Sequence, residues 1–307
     1  MYYSWFDHLP TIITEIGIRY IYIISSIFNN PKLITGISTC IFLVFMFHGI
    51  KKMSIQTTTA IFFFISSYLI FFILNGMRQA ISISILFLGF YIIKEKSFSF
   101  KWLLAFSFMI FLASLFHTSG IYGCIFILFW YLKNKKLSKK IIIYGFIFVL
   151  IGYFTSLIRD FIAPVFNLFE FYLKKYEGNL SYFFIQNKDK NILQFIPIII
   201  QFIFLLLNNK YKKGANYFSD WCYMSYLLFY SATGIEAVDR FQLYFYPSII
   251  LFYDELVFNI MNSKFQFKRN RVIILGSIVI FWCMYYILRL LQNTHGIYPY
   301  QIDINIL

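Results

Sequence analysis

The chain has 307 residues, 60% of them hydrophobic and 23% aromatic, with only 13% charged and a mean hydropathy of +0.70. A soluble domain carries about a quarter charged and roughly half apolar residues, so this composition excludes a soluble fold and predicts an all-α, polytopic transmembrane helical bundle. The net charge of +14 does not indicate nucleic acid, because most basic residues sit in short clusters between apolar runs, where they orient helices. Four cysteines, Cys40, Cys124, Cys222 and Cys283, fall inside apolar runs without CxxC spacing. They predict neither a disulfide framework nor a metal site.

In chain order, Thr11 to Phe28 is apolar but carries Glu15 and Arg19, four apart on one helix face and within pairing distance. It reads as a helix that spans beside the core or lies at the interface. Ten apolar runs follow, at about 33–50, 56–74, 77–93, 102–116, 119–132, 141–157, 192–208, 217–235, 241–260 and 272–291. Several are shorter than the ~20 residues of an untilted span, so their ends are expected to reach into the turns. The whole chain, 1–307, reads as one integral membrane domain.

Seventeen of the 27 basic residues fall in five loops: Lys51–Lys52, Lys94–Lys101, Lys133–Lys140, Lys210–Lys213 and Lys264–Arg271. With ten alternating spans, all five lie on one side, which the positive-inside rule makes cytoplasmic. The outward segments then carry Arg78, His117, Arg159, Asp160, Glu170, Lys174, Lys175, Glu236, Asp239 and Arg240. The long connection 158–191 mixes aromatics with charges and suits an amphipathic helix in the headgroup region.

Ionisable groups at membrane depth are costly and mark functional sites by default. Arg78 opens one apolar run and His117 closes the next, so a helical hairpin returns both to one side. A guanidinium offers a donor fork matched to phosphate oxygens, although an Arg here can also snorkel to headgroups. His117 can serve as acid, base or donor, or as an ordinary interfacial hydrogen-bonding residue. Arg240 is a second candidate clamp. Glu236 or Asp239 is a candidate base, with Asp239 equally suited to capping the next helix. Arg159, Lys174 and Lys175 offer further phosphate or glycan contacts, or a solvated basic face.

Several short motifs together resemble the EpsG family of Wzy-like polysaccharide polymerases. They are Arg78-Gln79; Ala113-Ser114-Leu115-Phe116-His117-Thr118-Ser119 after a basic turn; Arg240-Phe241 followed by Tyr244-Phe245; Glu15-Ile16-Gly17-Ile18; and the closing Tyr298-Pro299-Tyr300. The family's usual N-terminal helices and external R-x-x-x-x-D-x-x-x-Y segment have no counterpart before Glu15, so a shortened copy or a misplaced start is expected.

The resemblance implies a glycosyltransferase-type polymerase on the outer face of the bacterial plasma membrane, facing the periplasm or cell exterior. It would join polyprenyl-diphosphate-linked oligosaccharide repeat units into O-antigen, capsule or exopolysaccharide. A flippase and a chain-length regulator of the same pathway are its implied partners, and no cofactor or metal is implied. In this role Arg78, Gln79, Arg240, Arg159, Lys174 and Lys175 bind substrate, while His117, Glu236 or Asp239 deprotonates the acceptor. The rivals are a flippase for lipid-linked oligosaccharide and a glycan-modifying membrane acyltransferase. A carrier places paired charges near the midplane, whereas here they gather at the rim.

Overall fold

The computed structural model describes residues 15–154, 192–230, 240–263 and 268–292. Among these the chain is all-helical, without a strand. The twelve helices are α1 (Ile16–Ile27), α2 (Lys32–Met53), α3 (Thr57–Ser66), α4 (Phe72–Asn75), α5 (Met77–Glu95), α6 (Phe100–Phe116), α7 (Phe126–Leu132), α8 (Lys139–Phe154), α9 (Ile192–Tyr211), α10 (Phe218–Tyr230), α11 (Ser248–Met261) and α12 (Lys268–Leu291). Three helices, Lys32–Met53, Met77–Glu95 and Arg269–Leu291, are long and apolar enough to cross a membrane. Shorter apolar stretches are Ile16–Ile27, Thr57–Ser66, Phe100–Phe116, Thr118–Leu132 and, within α9, Phe195–Tyr211. The interfacial helix expected within 158–191 lies outside the described residues.

The chain divides into two compact units, Met1–Cys124 with Ile249–Leu307, and Ile125–Ser248. The first is built around α5, which packs against α2 on one side and α6 on another, while α1 touches both α2 and α6. In its most apolar stretch α5 is 72% buried, against 28% for α2 and 11% for α12. A helix apolar on all faces belongs in the interior, and small residues let its neighbours close in. A Cβ on Gly89 would meet the Phe106 ring at 3.0 Å, and one on Gly49 of α2 would meet Phe87 at 2.8 Å. Without lipid-side hydrophobic drive, such close packing is a main source of helix association.

The run 56–74 is not one helix. α3 ends at Ser66, Tyr68 takes the left-handed backbone (φ 69°), a 3-10 turn follows at Leu69–Phe71, and α4 resumes the helix. No Gly or Pro announces this break, and a left-handed L-residue costs about 1–2 kcal/mol. Tertiary contacts sustain it. Tyr68 is 2% exposed, with its ring centroid 4.9 Å from that of Phe71 and 5.7 Å from that of Tyr286 on α12. The run 119–132 is likewise mixed, opening as a 3-10 segment, Thr118–Ile125, before α7.

Some of the basic-loop lysines are structural. Lys94, near the C-terminal end of α5, is buried, with Nζ 3.1 Å from Glu255 Oε1 of α11 and 2.8 Å from the Met53 carbonyl. Next to Glu255, the Asp254 carboxylate accepts the backbone N–H groups of Ile55 and Gln56 at 2.5 and 3.1 Å. It thereby caps the start of α3 from another helix, satisfying amides that the helix cannot pair itself.

In the second unit, α10 packs against α7, α8 and α9. Lys212 forms a buried ion pair with Asp220, whose other oxygen accepts Asn208 Nδ2 at 2.7 Å. Next to Arg240 in sequence, Phe241 opens an aromatic cluster. The Phe241 ring lies edge-on to Phe229 at 4.7 Å, and Phe245 lies 4.8 Å from Phe126.

Removing one partner of a buried ion pair costs about 3–5 kcal/mol, whereas replacing both with apolar residues is often neutral. Lys94→Met is therefore expected to lower unfolding stability by about 3 kcal/mol, and Lys94→Met with Glu255→Met to recover most of it. Thermal unfolding of the detergent-solubilised protein measures both.

Candidate functional site

Two glycines bring three helix ends together. A Cβ on Gly17 would meet the Phe116 ring at 2.9 Å and the Leu115 carbonyl at 3.0 Å. The bare glycine thus lets the first turn of α1 lie directly on the end of α6. A Cβ on Gly120 would meet the backbone of Ala113 and Ser114 at 2.7 Å and Ser82 Oγ of α5 at 2.8 Å. The chain leaving His117 therefore folds straight back onto α6 and α5.

Through these contacts Glu15, the N-cap residue of α1, reaches Arg78 at the start of α5, with Arg78 Nη1 2.9 Å from Glu15 Oε2. The Glu15 side chain is 4% exposed and that of Arg78 49%. The sequence puts Arg19 within reach of Glu15, but the observed ion pair joins Glu15 to Arg78 across 63 positions. Burial raises the Glu15 pKa, while the charge of Arg78, a backbone hydrogen bond and the nearby His117 lower it. The net result lies below the usual carboxylate value of 4.5. Glu15 is thus an anion on one edge of Arg78, whose side chain stays half exposed at the N-terminus of α5, where the helix dipole also favours anions. Gln79, the next residue on α5, is buried.

His117 caps the end of α6, is 9% exposed, and lies within electrostatic reach of Glu15. Its Nδ1 accepts the backbone N–H of Ser119 at 3.2 Å, and the Ser119 hydroxyl lies on the same nitrogen. A nitrogen that accepts an N–H carries no proton, so in the neutral ring the proton sits on Nε2. His117 in this form is an Nε2–H donor. Ser119 closes the F-H-x-S motif, but sequence neighbourhood alone assigns it no role; the contact with His117 supplies one.

Glu15, Arg78, Gln79, His117 and Ser119 all belong to the first unit. Arg240 belongs to the second and is partly exposed. Arg159, Lys174, Lys175, Glu236 and Asp239 lie outside the described residues. Among the described residues no group of three His, Cys, Asp or Glu side chains could hold a metal ion.

The model of the EpsG family matches residues 1–302. The chain belongs to the EpsG family. That membership, with its apolar helices, makes it a membrane protein of polysaccharide biosynthesis. No curated protein and no solved structure matches it. Within this EpsG chain, the E-x-G and F-H-x-S segments are placed side by side by Gly17 and Gly120.

The Glu15 pair yields a pH prediction with a fixed sign. A depressed carboxylate pKa adds stability above the unfolded value near 4.5, and this is lost as pH falls through the folded value. Stability should therefore drop below pH 4.5 in the native chain, and that acid step should vanish in Glu15→Gln. Because Arg78 is half exposed, solvent screens the pair, and Glu15→Gln should cost about 1–2 kcal/mol at neutral pH. Unfolding midpoints measured against pH test both statements.

Proposed function

We propose that this EpsG-family chain is a polysaccharide polymerase, carried chiefly by the half-exposed Arg78 fork that a buried Glu15 holds at the mouth of the central helix. The substrate is a polyprenyl-diphosphate-linked oligosaccharide. The bond between the growing glycan and its diphosphate breaks as a hydroxyl of the next lipid-linked unit attacks the anomeric carbon. The hydroxyl proton goes to a base, and the polyprenyl diphosphate leaves with the bonding electrons.

In this chemistry the charge that grows during reaction sits on the diphosphate oxygens. Preorganised donors aimed at developing charge lower the barrier without a covalent nucleophile. The N–H groups of the half-exposed Arg78 are such donors, Glu15 sets the Arg78 fork, and His117 stands within electrostatic reach of the pair as a further polar group for the substrate. The ion-paired, acid-shifted Glu15 is poorly suited to proton abstraction, so the base is assigned to Glu236 or Asp239. Arg240 is a second anion contact, and Arg159, Lys174 and Lys175 are glycan or phosphate contacts.

The rim position supports an outward-facing reaction in the bacterial plasma membrane. Arg78 and Lys94 stand 16 residues apart on α5, about 24 Å at helical rise. They thus mark opposite faces of a hydrocarbon core about 30 Å thick. The lysine clusters favour the Lys94 end as cytoplasmic. A flippase delivering the lipid-linked unit to the outer face, and a chain-length regulator, would be the pathway partners. A carrier would be expected to place its ionisable pair near the midplane.

The experiment is complementation of a polymerase-null strain that retains the cognate repeat-unit genes, with glycan length read on a gel. The native chain should restore a ladder. Arg78→Ala should lower polymer yield by about 10²–10³-fold, the loss expected for one transition-state donor. Arg78→Lys should fail nearly as badly, because a point charge cannot supply the fork. A wild-type ladder from Arg78→Lys would remove the clamp.

A further inference from the structure

α12 carries two stripes. One is turned to surroundings, with Ile280, Met284, Ile287, Leu288 and Leu291 all more than half exposed. The other begins with Trp282, 1% exposed against Phe63 and Tyr253. It continues one and two turns on through Tyr285, Tyr286 and Arg289, each part-exposed. Arg289 is seven residues beyond Trp282 and hence on the protein-facing side. An arginine serving only to reach lipid headgroups would belong on the other stripe.

What faces this stripe is the left-handed break at Tyr68. It brings Phe71 to 6.3 Å from Tyr286 (ring centroids), with Tyr68 beneath both. The Arg289 guanidinium lies 5.5 Å from the centre of the Tyr285 ring, and it and Tyr286 lie within electrostatic reach of the Tyr68 phenol. The result is a set of part-exposed aromatic rings from two helices, edged by a planar cation. Backbone strain that a packed surround sustains gathers at functional sites. Phe71 is joined to Arg78 by α4 and Gly76, a path of seven residues and on the order of 10 Å at helical rise.

We propose that Phe71, Tyr285, Tyr286 and Arg289 form a carbohydrate-binding shelf that holds a sugar ring of the substrate beside the Arg78 site. Aromatic faces take the C–H side of a sugar ring, and the guanidinium bonds its hydroxyls. This rests on the polymerase reading and adds to it the place where the glycan, rather than the diphosphate, is held.

The test uses the full chain in lipid nanodiscs with two probes. One is the free oligosaccharide released by mild acid from the strain's own lipid-linked repeat units, followed by saturation-transfer NMR. The other is undecaprenyl diphosphate, followed by a direct binding titration. Native protein should transfer saturation to the oligosaccharide. Tyr286→Leu, which keeps apolar volume but loses the flat ring, and Arg289→Ala should weaken oligosaccharide binding at least fivefold, and Tyr286→Phe should retain it. All three should bind undecaprenyl diphosphate as the native chain does, which also shows them folded.

Native-level oligosaccharide binding by Tyr286→Leu and Arg289→Ala overturns the shelf and leaves the polymerase reading standing. So does a native chain that binds undecaprenyl diphosphate but no oligosaccharide. A native chain that binds neither probe overturns both.

Discussion

A 2.9 Å contact between the Glu15 carboxylate and the Arg78 guanidinium joins the first described residue to the central helix. A charge near the membrane edge needs a partner or water. Here the acid is almost fully buried, while the base is half in solvent. The asymmetry gives each a distinct task. The buried acid is fixed by its surroundings and fixes one edge of the fork, while the exposed remainder can meet a ligand in a set orientation. Preorganisation of that kind makes a donor effective, since nothing need rearrange as charge develops.

The same helix is held at its other end by Lys94, through Glu255 and the Met53 carbonyl. α5 is therefore pinned by an ion pair at each end, each acid coming from a different helix. Between the pins its contacts are apolar and close, set by Gly49 and Gly89. Apolar packing alone tolerates sliding by a turn more readily than a buried charge pair does, so the pairs fix where α5 stands along its axis. That fixes the height of Arg78 relative to His117, which α6 delivers independently.

Much of this was legible in the sequence, for physical reasons. Composition fixes a membrane helical protein, and a hairpin of two apolar runs with a basic turn has to return Arg78 and His117 to one side. E-x-G and F-H-x-S stand out because glycine and histidine are informative in an apolar background. Three things were not legible. The partner of Glu15 lies 63 positions away, and no local pattern encodes a contact of that separation. The break at Tyr68 carries no Gly or Pro, since tertiary ring packing sustains it. Lys94 looks like a loop lysine, because a buried and a solvated lysine at the end of an apolar run are the same letter. His117 was recognisable as a titratable residue, but its tautomer depends on the backbone N–H of Ser119.

The Glu15 pair also has a consequence for how the chain is made. Synthesis runs from the N-terminus, so Glu15 is translated 63 residues ahead of its counter-charge. At about 5–20 residues per second that is a delay of roughly 3–13 s. Through this interval a carboxylate destined for burial has only Arg19, four residues on, within reach as a counter-charge. α1, with only 12 residues, is too short to hold it across the bilayer. α1, the first of the described helices, can therefore take its final place only once α5 and α6 have supplied Arg78 and the seat that Gly17 fits. Order of synthesis and order of assembly run opposite to each other at this site.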